Sequence, residues 1–175
     1  MVAEGTSVMM FTHQHRLNCI LPTGGQRLRE ILNERTTEFL RIFDVQVFHG
    51  INADVCDSNL SDVVINKASI CLVIIPTEKH EAPEQRMIKR FTKNLYAIFL
   101  SVISFEVKGT IHLINSPHSQ QLTNYLVHDL NNFFPITNAT ISQVNSSAKP
   151  LIAPVVLVNK ACVGIFSLCE TPIKP

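Results

Sequence analysis

One octapeptide pattern occurs twice in this chain, and it constrains the fold more than any other feature. Val63-Val64-Ile65-Asn66-Lys67-Ala68-Ser69-Ile70 returns as Val156-Leu157-Val158-Asn159-Lys160-Ala161-Cys162-Val163, 93 residues later. The echo extends upstream at an offset of 94: "RLREIL" at 27–32 stands opposite "QLTNYL" at 121–126, and Phe39-Leu40-Arg41-Ile42-Phe43-Asp44-Val45 opposite Phe133-Phe134-Pro135-Ile136-Thr137-Asn138-Ala139. A single-residue insertion or deletion within 49–61 or 142–150 accounts for the change of offset. We read two diverged copies of one module, an arrangement that stacks like faces against each other.

Each copy predicts the order β-α-β-β-β. From Phe105 to Leu113 apolar and polar residues alternate, which is the pattern of a half-buried strand. The same offset places Phe11, His13, His15, Leu17 and Cys19 on the inward face in copy one. Leu28, Ile31 and Leu32, and in copy two Leu122, Tyr125 and Leu126, recur at helical spacing. A strand from Ile42 to Phe48 follows, with Phe43, Val45 and Val47 on one side, and two apolar runs flank each Asn-Lys pair. The β-branched content of those runs favours strands, and Asn in the short break between them favours a chain reversal that leaves Lys in solvent.

Between the copies, Met87, Phe91, Leu95 and Ile98 line up on one side of a helix that opens near Pro83. The predicted organisation is copy one over 8–76, a connecting helix over 77–103 and copy two over 104–170. The fold class expected is α+β: two pseudo-repeated modules, each able to close as a small β-barrel, joined by an amphipathic helix.

The chain has 175 residues, 46% of them hydrophobic and 17% charged, enough apolar content for a sizeable core. A net charge of +1 exerts no global pull toward nucleic acid or anionic membrane. The N-terminal residues lack the basic and apolar regions of a signal peptide, and the apolar stretch from Leu95 to Phe105 is too short to span a bilayer, so the expected compartment is the cytoplasm, with no membrane partner. Five cysteines (Cys19, Cys56, Cys71, Cys162, Cys169) with no C-x-x-C pair argue against a disulfide framework and a zinc ribbon.

Four features invite a chemical role. Gly24-Gly25 precedes a helix, as in phosphate loops, but neither phosphate-binding glycine pattern is present and a turn suffices. His13 and His15, two apart on one predicted strand face, form a candidate metal pair with Cys19, His49 or His80 as a third ligand. Arg86, Lys89, Arg90 and Lys93 form a basic face on the predicted connecting helix, to which Lys67 and Lys160 could add for phosphate contacts. Cys71 and Cys162 sit in apolar runs and Cys56 lies between acidic neighbours, which gives no activated nucleophile. No cofactor is expected.

The order of "EVKGTIHL", "RLREILN", "FLRIFDVQV" and "VVINKASICLV" resembles a small bacterial module of unknown function that occurs singly or in tandem; the resemblance implies no activity. "INKASI" and "VNKACV" are also similar to the bend joining the last two strands of Sm-like barrels, with Asn66-Lys67 and Asn159-Lys160 where that family has Arg-Gly. That substitution removes the family's RNA contact, so the resemblance bears on a small-barrel shape and not on RNA binding. The function expected is a non-enzymatic interaction or adaptor protein, with a protein partner or self-association. Two alternatives stand beside it: nucleic-acid binding through the basic helix face, and a metal site at His13 and His15.

Overall fold

Alternating burial, not helical periodicity, runs through most of this chain. The structure, a computed structural model, describes residues 5–49, 53–75, 94–113 and 130–168. Within them are ten strands: β1 (Gly5–Thr12), β2 (His15–Pro22), β3 (Phe39–His49), β4 (Ser58–Asn66), β5 (Ile70–Ile74), β6 (Asn94–Val102), β7 (Phe105–Leu113), β8 (Phe133–Gln143), β9 (Leu151–Asn159) and β10 (Val163–Leu168). A single six-residue helix, α1 (Leu28–Asn33), interrupts them.

All ten strands belong to one sheet in the order β10-β6-β7-β8-β9-β5-β1-β2-β3-β4, and every neighbouring pair is antiparallel. This overturns the expected α+β class with its β-α-β-β-β modules joined by an amphipathic helix: the described protein is almost entirely β. Two sequence expectations failed for identifiable reasons. Leu95 and Ile98 fit a helical stripe, yet Tyr96, Ile98, Leu100 and Val102 are the buried members of an alternating strand, so residues 94–102 are β6. The expected single strand through Phe11 and His15 is instead a hairpin, in which His13 and Gln14 turn the chain and Phe11 lies opposite Arg16.

The first five strands follow the order β5-β1-β2-β3-β4 and the last five the order β10-β6-β7-β8-β9. Both units carry the same irregularity. The β2–β3 register shifts between Asn18 and Ile20, and the β7–β8 register between Lys108 and Thr110. At that bulge Asp44 has φ 49° and Asn138 φ 50°, a left-handed conformation that short polar side chains tolerate best. The bulge breaks the alternation expected over 42–48: Ile42 and Val45 are buried while Phe43 is only partly so.

The units meet where β5 pairs with β9, Leu72 opposite Val158, Val73 opposite Leu157 and Ile74 opposite Val156. Their cores interlock across this seam. Cys71, Leu72 and Ile74 of the first unit pack into the cluster built around Tyr96, Leu100 and Val107. Phe133 and Leu157 of the second pack in return with Val8, Met10 and Ile42. Asn33, ending α1, adds a two-way bridge: its Nδ2 donates to the Phe133 carbonyl (2.9 Å) and its Oδ1 accepts from the Phe133 N–H (2.8 Å).

Candidate functional site

The two Asn-Lys pairs end up side by side at the seam, on an open groove of about 1040 Å³ whose walls include Asn66, Lys67, Asn159, Lys160, Arg35 and Phe166. Each pair opens one 3-10 turn, Lys67–Ser69 or Lys160–Cys162. Asn66 Oδ1 accepts from the Ala68 N–H (2.8 Å) and Asn159 Oδ1 from the Ala161 N–H (3.0 Å), so both asparagines cap the reversal with their own side chains. This explains the residue type: an apolar residue has no side-chain acceptor to offer the exposed N–H.

The lysines do not face solvent as expected. Lys67 is 7% exposed, and its Nζ donates to the Glu34 carbonyl and Thr37 Oγ1, both at 2.9 Å, with Glu34 Oε2 at 3.9 Å. Lys160 Nζ donates to the Leu130 carbonyl at 3.0 Å. Both ammonium groups thus tie the turn to chain just before β3 or β8. Lys67 satisfies carbonyl and hydroxyl acceptors that would otherwise be poorly paired, and it presents no bare cation to a ligand in the groove.

The asparagines differ in their amide nitrogens. Asn159 is buried and its Nδ2 crosses the seam to the Ile70 carbonyl at 2.8 Å and the Lys67 carbonyl at 3.4 Å. Asn66 makes no such bond to any described residue. The seam also brings Cys162 beside Cys71: the hydrogen bond that the Cys71 thiol donates to Cys162, with burial, pushes Cys71 up, while the same contact lowers Cys162. Burial holds the Cys19 thiol up at about 12. These thiols are free, and Cys19 and Cys71 are inert as nucleophiles.

At the opposite end of β2 and β3, His15 lies across from His49 with ring centroids 4.7 Å apart. His49 Nδ1 and its main-chain N–H both contact Asp57 Oδ2 at 2.8 Å, and the His49 hydrogen bond holds the Asp57 carboxyl below its ordinary range. The ring beside this His-Asp pair is a second histidine and not a nucleophile. His13 stands apart in the exposed turn, and no group of three or more metal-ligating side chains gathers among the described residues. Gly24 and Gly25 have φ 53° and 81° and form a turn closed by the Gln26 N–H on the Thr23 carbonyl, ahead of a helix too short to supply an anion site. Arg86, Lys89, Arg90 and Lys93 lie outside the described residues, as do His80 and most of the predicted connecting helix.

Sequence reasoning missed the two ends of the sheet. β4 and β10 each pair on one side only, and no described strand covers the other. Phe39, Leu60 and Val64 at one end and Ile165 at the other are apolar and exposed. Their counterparts at offsets of 94 and 93, Phe133, Ala153, Leu157 and Leu72, are all buried. The repeat alignment already set Phe39 against Phe133; only the strand order reveals that one is covered and the other open. No helix among the described residues is long and apolar enough to cross a membrane. The chain matches no protein-family model, no curated protein and no solved structure.

Proposed function

We propose that this chain is a non-enzymatic, cytoplasmic interaction protein that binds by adding strands to the open ends of its sheet. The observation that carries this reading is the pair of edges, β4 and β10, that no described strand covers, with exposed Val64 and Ile165 on them. An uncovered edge offers a row of main-chain donors and acceptors, and natural proteins usually blunt such an edge with Lys, Pro or an inward charge. These edges carry none of those at Val63–Ile65 or Ile165–Ser167. Main-chain pairing then supplies affinity and alternate side chains supply selectivity. The unpaired thiols of Cys19, Cys56, Cys71 and Cys162 suit a reducing compartment. The groove supports a structural role better than a catalytic one, because Lys67 and Lys160 are turned onto main-chain carbonyls.

Peptides that copy the strands of the internal seam test this reading. Residues 151–160, offered to a Val64→Lys chain whose β10 is intact, should slow amide exchange over Ile165–Ser167. A peptide of residues 70–75, offered to an Ile165→Lys chain, should do the same over Val63–Ile65. Exchange unchanged along both edges at saturating peptide, or protection confined to the groove, would remove the strand-addition reading.

A further inference from the structure

The two ends of the sheet are the two halves of the junction at its centre. At the seam, the last strand of the first unit, β5, pairs with the fourth strand of the second, β9. The strand left open at one end, β4, is the fourth of its unit; the strand left open at the other, β10, is the last. Moving each seam residue to its counterpart 93 positions away turns Leu72–Val158, Val73–Leu157 and Ile74–Val156 into Ile165–Ile65, Phe166–Val64 and Ser167–Val63.

Burial follows the same correspondence. Phe133, Leu157 and Leu72 in the seam are 2%, 5% and 0% exposed, whereas Phe39, Val64 and Ile165 at the ends are 54%, 65% and 56% exposed. The open positions keep the apolar character of covered ones, a pattern that marks surface awaiting a partner. The hydrogen bonding agrees: Asn159 Nδ2 reaches across the seam to the Ile70 carbonyl, and Asn66, which caps its turn in the same manner, has its Nδ2 unbonded to any described residue. The counterpart of the Ile70 carbonyl is that of Val163, at the start of β10.

We infer that the partner at these edges is a second copy of this chain, with β10 of one copy adding to β4 of the next in the register Ile165–Ile65, Phe166–Val64, Ser167–Val63. This rests on the strand-addition reading and names its occupant. The contact is head-to-tail, so an open assembly of any size keeps one free β4 edge and one free β10 edge, and association continues until a ring closes or a filament grows. The second copy is preferred to a foreign strand because the chain already contains this junction once, with apolar residues at five of the six corresponding positions and Ser167 in place of Ile74.

Native mass spectrometry with two edge variants tests the proposal. Val64 and Ile165 are exposed in the single chain, so V64K and I165K should melt as wild type does at dilutions where it is monomeric, while placing an ammonium where docking would bury it. Wild type should appear as multiples of 19.6 kDa. V64K alone and I165K alone should each be monomeric, and their equimolar mixture should form a dimer and nothing larger, since one junction of intact edges remains. Val64→Glu and Ile165→Glu provide a second pair should either lysine variant melt early. A dimer from either variant alone would show like edges pairing and overturn the head-to-tail contact, as would a mixture that stays monomeric. Monomeric wild type at all concentrations, with the seam peptides still protecting the edges, would refute self-association and leave strand addition standing; failure of the peptides as well would refute both.

Discussion

Replacing each of the two turn asparagines by alanine should cost unequal amounts, although the sequence around them is nearly the same. Asn66→Ala removes one acceptor, Oδ1, from the Ala68 N–H on a partly exposed turn, a capping loss of about 1 kcal/mol. Asn159→Ala removes the same kind of cap from Ala161 and also takes the amide donor from the Ile70 carbonyl inside the seam. An acceptor left without its donor in a buried site adds about 1–2 kcal/mol, giving about 2–3 kcal/mol for Asn159→Ala against about 1 for Asn66→Ala. The comparison belongs in an Ile165→Lys background, where no second copy can supply Asn66 with the acceptor it lacks. Urea unfolding followed by far-UV circular dichroism reads the difference, which at ordinary slopes for a small protein separates the midpoints by about 0.5–1 M. Equal losses would mean that the bond across the seam does not stabilise the chain; a larger loss at Asn66 would reverse the argument.

Other substitutions probe separate parts of the account. Lys67→Met should cost about 3 kcal/mol in the same unfolding assay, because the Glu34 carbonyl and Thr37 Oγ1 lose a charged donor; an unchanged midpoint would show the lysine to be dispensable. Gly109→Ala should destabilise by about 1–3 kcal/mol, since an added Cβ would meet Ile136 Cγ2 at 2.5 Å and the Thr137 carbonyl at 2.8 Å. Hydrogen bonds from Thr36 and Thr37 lower the Glu34 carboxyl from 4.5 to about 2. Its contribution is therefore complete above its unfolded value and fades as pH falls toward about 2. Glu34→Gln should flatten the acid limb of stability over that window, and an unaltered limb would contradict the assignment.

What the sequence conveyed depended on whether a local pattern had one physical meaning. Asn66 and Asn159 each break a β-branched run, and a polar residue that can cap its own turn has few other uses there. Asp44 and Asn138 also stand opposite each other at offset 94, and both tolerate positive φ, so the bulge was present as an unread signal. The hairpin at His13–Gln14 carried no glycine or Asn-Gly signature, and the repeat alignment at 94 hid it because the first hairpins correspond at 90: Asn18 pairs at the bulge as Lys108 does. Leu95 and Ile98 fitted the helical period while Tyr96, Ile98, Leu100 and Val102 fitted the strand period, and tertiary pairing of β6 with β7 decided between them. The open edges were illegible in principle. Phe39 and Phe133 are the same residue in matching strands, and only the neighbour across β4 or β9 makes one a surface and the other a core.

The central claim is that the junction inside the chain is repeated between chains, and methyl NMR on the equimolar V64K and I165K mixture tests it most directly. With isoleucine methyls labelled, residues facing each other across an antiparallel pair lie about 4.5–5.5 Å apart at Cβ, close enough for a methyl–methyl NOE. The account predicts an intermolecular NOE between Ile165 of the V64K chain and Ile65 of the I165K chain. Intermolecular contacts in another register, or none between β10 and β4, would contradict it.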